Sequence, residues 1–383
     1  MTTLHIFNPE HDIALASNLS NFTAPHAGRV LRADVGYLPA LWAGPDDYVL
    51  VDNADDAQTA FSRFIHRPFQ GFVEKRQLSR LPIRRVEPWG WDLALRSFLL
   101  RYGVPEGVLP SEQQIAVIRD LSHRKTAAAL LRSLAIEGTV GESVVLETPE
   151  AVALQVQRWG KVVLKAPWSS SGRGIRFVDT VLDVYQQRWL RNMLDRQGAV
   201  VAEPYYDKVK DFAMEFQSDG NGSVTCLGFS LFHTSNGAYT GNILASEEEK
   251  REMISRYVST DLLDTVQSSI CQLLGPVFKD RYQGPFGVDM MIVNGQLSNG
   301  KCLLHPCVEL NLRRTMGHVA LALSPQCRSG QVMTVEYSEN HYKLRLGNNN
   351  KQLSLINRYE KEFFIYFSPD DAYSMRRQED RKC

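Results

Sequence analysis

Net charge is absent from this chain, since 43 Lys and Arg residues balance 43 Asp and Glu. No bulk charge is available to gather nucleic acid or an anionic membrane surface, and no local basic patch replaces it. Long apolar runs are also missing; none approaches the roughly 18–20 residues that a membrane helix needs. Cysteine is sparse, and Cys226, Cys271, Cys302, Cys307, Cys327 and Cys383 follow no repeated spacing. In a chain of this length that favours reduced thiols in a cytoplasm over a disulfide framework. The opening MTTLHIFNPEHDIALA has no basic leader and acids interrupt its apolar part, so a signal peptide is not expected. Internal repeats and low-complexity tracts are lacking. So are two common phosphate-binding signatures: no G-x-G-x-x-G follows the first apolar strand, and the one lysine beside a Ser/Gly loop precedes it. A soluble cytoplasmic protein with neither nucleic-acid nor membrane partners is the expectation.

What is present has the pattern of an α/β protein. The 383 residues suffice for two or three domains. LHIF (4–7), YVLVDN (48–53) and IRRVEPWGWD (83–92) alternate with helical stretches, which predicts a parallel α/β unit over 1–110. Ser111 to Gln114 form a capping box before IAVIRDL, and the Ala- and Leu-rich RKTAAALLRSLA follows. From 160 onward strands dominate: KVVLK, AVVAEPYY, DFAMEF, SVTCLGFSLF, FGVDMMIV and CLLHPCVELNL. Pro105 and Pro110 mark an expected boundary after 1–110, and further strand-like pieces and a charged tail make up 331–383.

Three stretches carry chemistry. In KAPWSSSGRGI, Lys165 ends an apolar strand and Ser169, Ser170, Ser171, Gly172, Arg173 and Gly174 follow. Backbone N–H groups and hydroxyls of such a turn can converge on phosphate oxygens, and the alternative is an ordinary hairpin. In GPFGVDMMIV, Asp289 interrupts an apolar strand, and a buried carboxylate needs a partner. In HPCVELNLRR, period two puts His305, Cys307, Glu309, Asn311 and Arg313 on one face and Val308, Leu310 and Leu312 on the other. An acid, an amide and a cation in a row suit oxygen ligation of Mg²⁺ with an arginine behind it, or a wet strand face. Zinc on Cys302, His305 and Cys307 is awkward, since Cys302 faces away; His305 and Cys307 could instead line the active face. Between these stretches, Glu203 ends a strand at Pro204 and Asp211 opens the next with Glu215 on its face, as a hinge or as a surface connection. Glu10, His11, Asp12 and Trp89 lie in loops after strands, and His233 precedes SNGAYTGN, a loop that could close over a substrate; otherwise these are solvated loop residues.

Taken in order, the set resembles the ATP-grasp superfamily over roughly residues 111–325. The resemblance implies an ATP-grasp fold behind a Rossmann-like lobe: a small subdomain (111–195) with the phosphate loop, and a large one (196–330) with the metal ligands. Lys125, Lys165, Ser169 to Gly174, Glu203 and Asp211 would then bind ATP, and Asp289, Glu309 and Asn311 would hold Mg²⁺, with Mn²⁺ as an alternative. Lys165 and Arg313 would act on the reacting phosphoryl and acyl groups, and Glu10, His11, Asp12, Trp89 and His233 would select the substrates. The implied activity is carboxylate–amine or carboxylate–thiol ligation through an acyl phosphate, on a small molecule or peptide, by an enzyme that could be a homodimer. A kinase-like phosphotransferase or a non-catalytic nucleotide-binding scaffold is the alternative. A serine-rich loop and Pro204 at the hinge depart from the family pattern.

Overall fold

Residues 2–63, 69–169, 174–235, 238–295, 302–327 and 330–348 are described in a computed structural model of the chain. The three strands expected at the N-terminus are Thr3–Ile6, Tyr48–Leu50 and Arg85–Pro88, and a fourth, Gly71–Val73, joins them. That strand has only three residues, too few to show a period. All four run parallel, in the order 71–73, 48–50, 3–6, 85–88. Leu4, Ile6, Val49 and Val86 are buried between layers that include Leu38, Leu41, Leu95 and Leu99. The order reverses between Thr3–Ile6 and its neighbour Arg85–Pro88, so the loops leaving these two strands diverge and open a crevice. Those loops are 7–10 and 89–92.

Helices Glu112–Leu121 and Arg124–Ser133 follow, the first with its Ser111/Gln114 capping box formed. Their buried side chains, among them Ile115, Ile118, Ala127 and Leu131, face inward, and most join the core beneath an antiparallel sheet of Val224–Ser230, Lys208–Ser218, Gly284–Asn294 and Cys302–Asn311. A separate antiparallel sheet holds Val144–Leu146, Val200–Pro204, Lys161–Lys165 and Ile175–Asp179, in that order, over Val152, Val156 and Leu190 of two covering helices. Strand Val200–Pro204 completes the sheet that carries Lys165, so the boundary expected at 195 falls just ahead of a strand belonging with the preceding segment.

A fourth sheet pairs Phe232–Ser235 with Ala238–Leu244 and continues through Gln331–Ser338 and His341–Asn348. Of SNGAYTGN, expected as a loop, Ser235 and Ala238 to Asn242 lie in paired strands, and Asn236 and Gly237 lie outside the described residues. Leu244, Met333 and Leu344 share a core with Leu38 and Val49 of the first lobe. The strands after 330 thus complete a layer that reaches the N-terminal lobe, which their sequence position did not suggest. EFFIYF and the charged tail lie outside the described residues. Among the described residues no helix is long and apolar enough to cross a membrane.

Candidate active site

The expected metal ligands converge through strand register. Gly284–Asn294 and Cys302–Asn311 pair antiparallel, with Asp289 opposite Glu309 and Gly287 opposite Asn311. Asn311 Nδ2 donates to Asp289 Oδ2 at 3.2 Å. Burial and the neighbouring Glu309 charge push the Asp289 carboxyl above the usual carboxylate range. Two acids held face to face by a ladder create a demand for a cation. Among the described residues, no three His, Cys, Asp or Glu side chains cluster for a metal. Two carboxylates and an amide oxygen suit Mg²⁺, which keeps several waters and shares its sphere with phosphate, and do not suit a zinc cage.

Below Glu309 the ladder breaks. Met291 pairs with His305, so residues 306–308 oppose one residue and the strand bulges. Pro306 has no N–H to give the ladder, which places the bulge there. The alternation expected across 305–313 is therefore broken at 306–308 and holds from Glu309 onward. Cys307 turns into the core with Leu304 and Leu310, and does not line the active face. His305 is fully buried, its ring 5.4 Å edge-on from Tyr206, and a Cβ on Gly141 would come within 2.8 Å of Nε2.

Lys165 is buried; its Nζ lies 2.5 Å from Glu203 Oε2 and donates to the Val308 carbonyl at 3.2 Å. Glu203 thus holds Lys165, and Lys165 ties the small sheet to strand Cys302–Asn311. Asp211 is held by Lys208 at 2.5 Å and accepts from Thr234 Oγ1 at 2.9 Å. The loop closes where Ala166 N donates to the Gly174 carbonyl at 2.8 Å. Gly174 is required there, because a Cβ would lie 2.3 Å from that of Ser169. Ser170, Ser171, Gly172 and Arg173 lie outside the described residues. The loop's first turn is anchored: Trp168 Nε1 donates to the Arg119 carbonyl at 2.9 Å, and the Arg119 guanidinium lies 3.7 Å over the ring.

Lys125 does not reach this cleft. It is half exposed and pairs with Asp120. Its neighbour Arg124 turns in instead, with Nη2 2.7 Å from Glu309 Oε1 and 3.2 Å from Ser169 Oγ, and Nε donating to the Ala166 carbonyl at 2.9 Å. Arg124 shares the buried helix face with Ala127, Ala128 and Leu131, and Lys125 is rotated about 100° from it. The sequence held that signal: an arginine at the head of an Ala/Leu stripe.

Arg313 follows strand Cys302–Asn311 and turns toward the N-terminal lobe. Its Nε donates to Asp12 Oδ1 at 2.8 Å, its Nη2 lies 2.8 Å from Asp12 Oδ2, and Nη2 also donates to Asn311 Oδ1 at 3.0 Å. Burial raises the Asp12 carboxyl, but the guanidinium outweighs it and holds the group below the usual range; the acid in turn pushes Arg313 up. Asp12, Ser122, Arg124, Ser169, Glu309 and Asn311 line an open cleft. The other N-terminal candidates are occupied elsewhere. Glu10 pairs with Arg32 at 2.6 Å, and His11 is buried against Gly90, where a Cβ would meet its ring at 2.6 Å. Trp89 is a core residue, edge-on to Phe7 at 4.8 Å. His233 is half-buried in its hairpin, and its carbonyl accepts from Thr240 Oγ1.

Glu215 was legible only as the partner of Asp211 on a strand face; it pairs opposite Gly287, on the sheet face that carries Asp289 and Asn311, and lies at 1% exposure. Thr315 Oγ1 donates to it at 2.8 Å and His318 Nδ1 is 3.1 Å away. Burial pushes the carboxyl up to about 8 and the imidazole down to about 3, so both are neutral at pH 7. A carboxyl whose folded pKa is raised contributes stability that is complete below its unfolded pKa and lost as pH rises toward about 8. Between pH 6.5, above which His318 is neutral folded or unfolded, and about 8, urea unfolding is expected to show a loss of about 1.4 kcal/mol per pH unit from this group. Glu215→Gln is expected to remove that slope, and an undiminished slope would mean that the group is not its source.

No family model matches the sequence, and no curated protein matches it. Solved structures do. The chain is similar to the biotin carboxylase domain of Hydrogenobacter thermophilus 2-oxoglutarate carboxylase, solved with Mg·ADP, ADP and bicarbonate. It is 13% identical with a TM-score of 0.50, over 87% of this chain and 74% of that one. It is also similar to N5-carboxyaminoimidazole synthetase from Staphylococcus aureus, solved with ADP: 13% identical, TM-score 0.49, over 94% of this chain and 96% of that one. The first likeness establishes a shared fold.

Proposed function

From the ATP-grasp fold of this chain, we propose that it is an ATP-dependent carboxylate–amine ligase. One observation carries the proposal: register places Asp289, Glu309 and Asn311 together on strands that Lys165 touches from the small sheet. Lys165 and the loop from Ser169 to Gly174 bind the phosphates, and Glu203 and Asp211 serve the nucleoside. Asp289, Glu309 and Asn311 would hold Mg²⁺, which supplies charge neutralisation at the phosphates when bound.

The substrate carboxylate attacks the terminal phosphorus, and the bond to the bridging oxygen breaks as ADP leaves. The amine then attacks the acyl carbon, phosphate departs, and the amine's proton passes to solvent. Lys165 and Arg313 stabilise the anionic oxygens of the two steps, and no protein nucleophile is needed. The ligase reading is favoured by Arg313, which bridges Asn311 and Asp12 of the N-terminal lobe and would face an acyl group rather than a nucleotide base. The substrates are a small molecule or peptide bearing a carboxylate and a second compound bearing an amine, and a cytoplasmic homodimer goes with this reading.

Calorimetric titration with ADP and a β,γ-imido ATP analogue, with and without Mg²⁺, tests the nucleotide site; no binding under any condition would end the proposal. Lys165→Ala is expected to weaken ADP binding by about 10- to 100-fold, through a lost charge-assisted contact and a Glu203 left without its cation. An unchanged affinity would remove Lys165 from the phosphate site.

A further inference from the structure

Three cations around the cleft are each held by a carboxylate of the chain: Lys165 by Glu203, Arg313 by Asp12 and Arg124 by Glu309. The third pair differs from the others, because Glu309 is also a proposed metal ligand. Arg124 is fixed at one end, where Nε donates to the Ala166 carbonyl at 2.9 Å. At the other end its Nη2 forks to two groups with different roles, Glu309 Oε1 at 2.7 Å and Ser169 Oγ at 3.2 Å. Ser169 heads the loop proposed for phosphate. Only a guanidinium spans these three acceptors from one side chain; an ammonium lacks the fork.

Resting on the nucleotide reading above, we infer that Arg124 is a catalytic residue with an exchangeable partner. It neutralises Glu309 until a divalent cation takes that carboxylate, and then gives its Nη2 to the terminal phosphoryl oxygens held beside Ser169. The physical reason is charge. A guanidinium and a divalent ion on one carboxylate repel each other, and the nearest new anion is the phosphoryl group itself. The exchange needs little motion, since the anchor on Ala166 stays in place and Ser169 already lies within reach of the same nitrogen. Lys125, paired with Asp120 and half exposed, takes no part.

The test uses Mn²⁺ as the probe, its free concentration read by electron paramagnetic resonance, on wild type, Arg124→Met, Arg124→Lys and Lys125→Met. Without nucleotide, Arg124→Met is expected to bind Mn²⁺ about 10-fold more tightly than wild type, because a competing cation is gone. With Mn²⁺ present it is expected to bind the β,γ-imido ATP analogue about 10-fold more weakly, and ADP within about twofold. Arg124→Lys keeps the charge in place should the neutral variant not fold; it is expected to hold Mn²⁺ as wild type does and to lose about threefold for the analogue. Lys125→Met is expected to leave both affinities within about twofold. Opposite signs for metal and analogue are what a general distortion of the cleft would not produce. Arg124→Met weakening both, changing neither, or leaving the analogue loss to Lys125→Met would overturn the assignment while the nucleotide site stands. A wild type that binds no nucleotide would remove the nucleotide reading and this inference together.

Discussion

Glu309→Gln is expected to abolish measurable ADP formation, a fall on the order of 100- to 1,000-fold, while the protein remains folded. The substitution keeps shape and one carbonyl oxygen but removes the charge that a hard divalent cation needs. Its position explains why little else changes. The side chain is 30% exposed and touches Arg124, and an amide oxygen still accepts from that guanidinium. Asp289, opposite in the ladder, loses a like charge and shifts back toward ordinary carboxylate behaviour, which does not restore a two-carboxylate site. A coupled ADP-release assay beside a thermal melt decides the matter. Turnover within a fewfold of wild type would mean that the metal is held elsewhere.

Arg313→Met is expected to cost about 100-fold or more in ADP formation and to leave ADP affinity within about threefold. Arg313 faces Asp12 and Asn311, so its loss falls on the part of the cleft proposed for the acyl group. It also strands a carboxylate. Asp12 is 18% exposed in its side chain and keeps a depressed pKa only because the guanidinium outweighs burial. A depressed folded pKa contributes stability that is present above the unfolded pKa and is lost as pH falls through the folded one, so at pH 7 the pair contributes in full. Removing the arginine alone should therefore destabilise the protein by about 2–3 kcal/mol in urea. Adding Asp12→Asn should return most of that stability without returning activity. A double variant that recovers turnover as well would reduce the pair to a structural clamp.

The local parts of this protein were legible from neighbouring residues. Strand LHIF, the Ser111 capping box and the acid buried in GPFGVDMMIV each follow from propensity, hydrogen-bond satisfaction or the cost of an unpaired charge within a few residues. The grouping of Asp289, Glu309 and Asn311 was legible for the same reason, since a carboxylate inside an apolar strand must find a partner on the next one. The short strands Gly71–Val73 and Val144–Leu146 were not, because three residues show no period and their place is set by the strands beside them.

What the sequence alone determined, then, is an α/β lobe followed by a strand-rich part, with acids and a lysine at strand positions that suit phosphate and metal. Tertiary structure decided which side chains meet. Cys307 left the active face because a bulge depends on the partner strand's register as well as on Pro306. Arg124 took the place expected for Lys125 because one step along a helix turns a side chain about 100°, and packing of Ala127 and Leu131 chose the face. Asp12 found Arg313 across 301 residues, where no local rule reaches. Strand and helix signals act over a few residues, whereas an ion pair between lobes exists only after the sheets have fixed both ends.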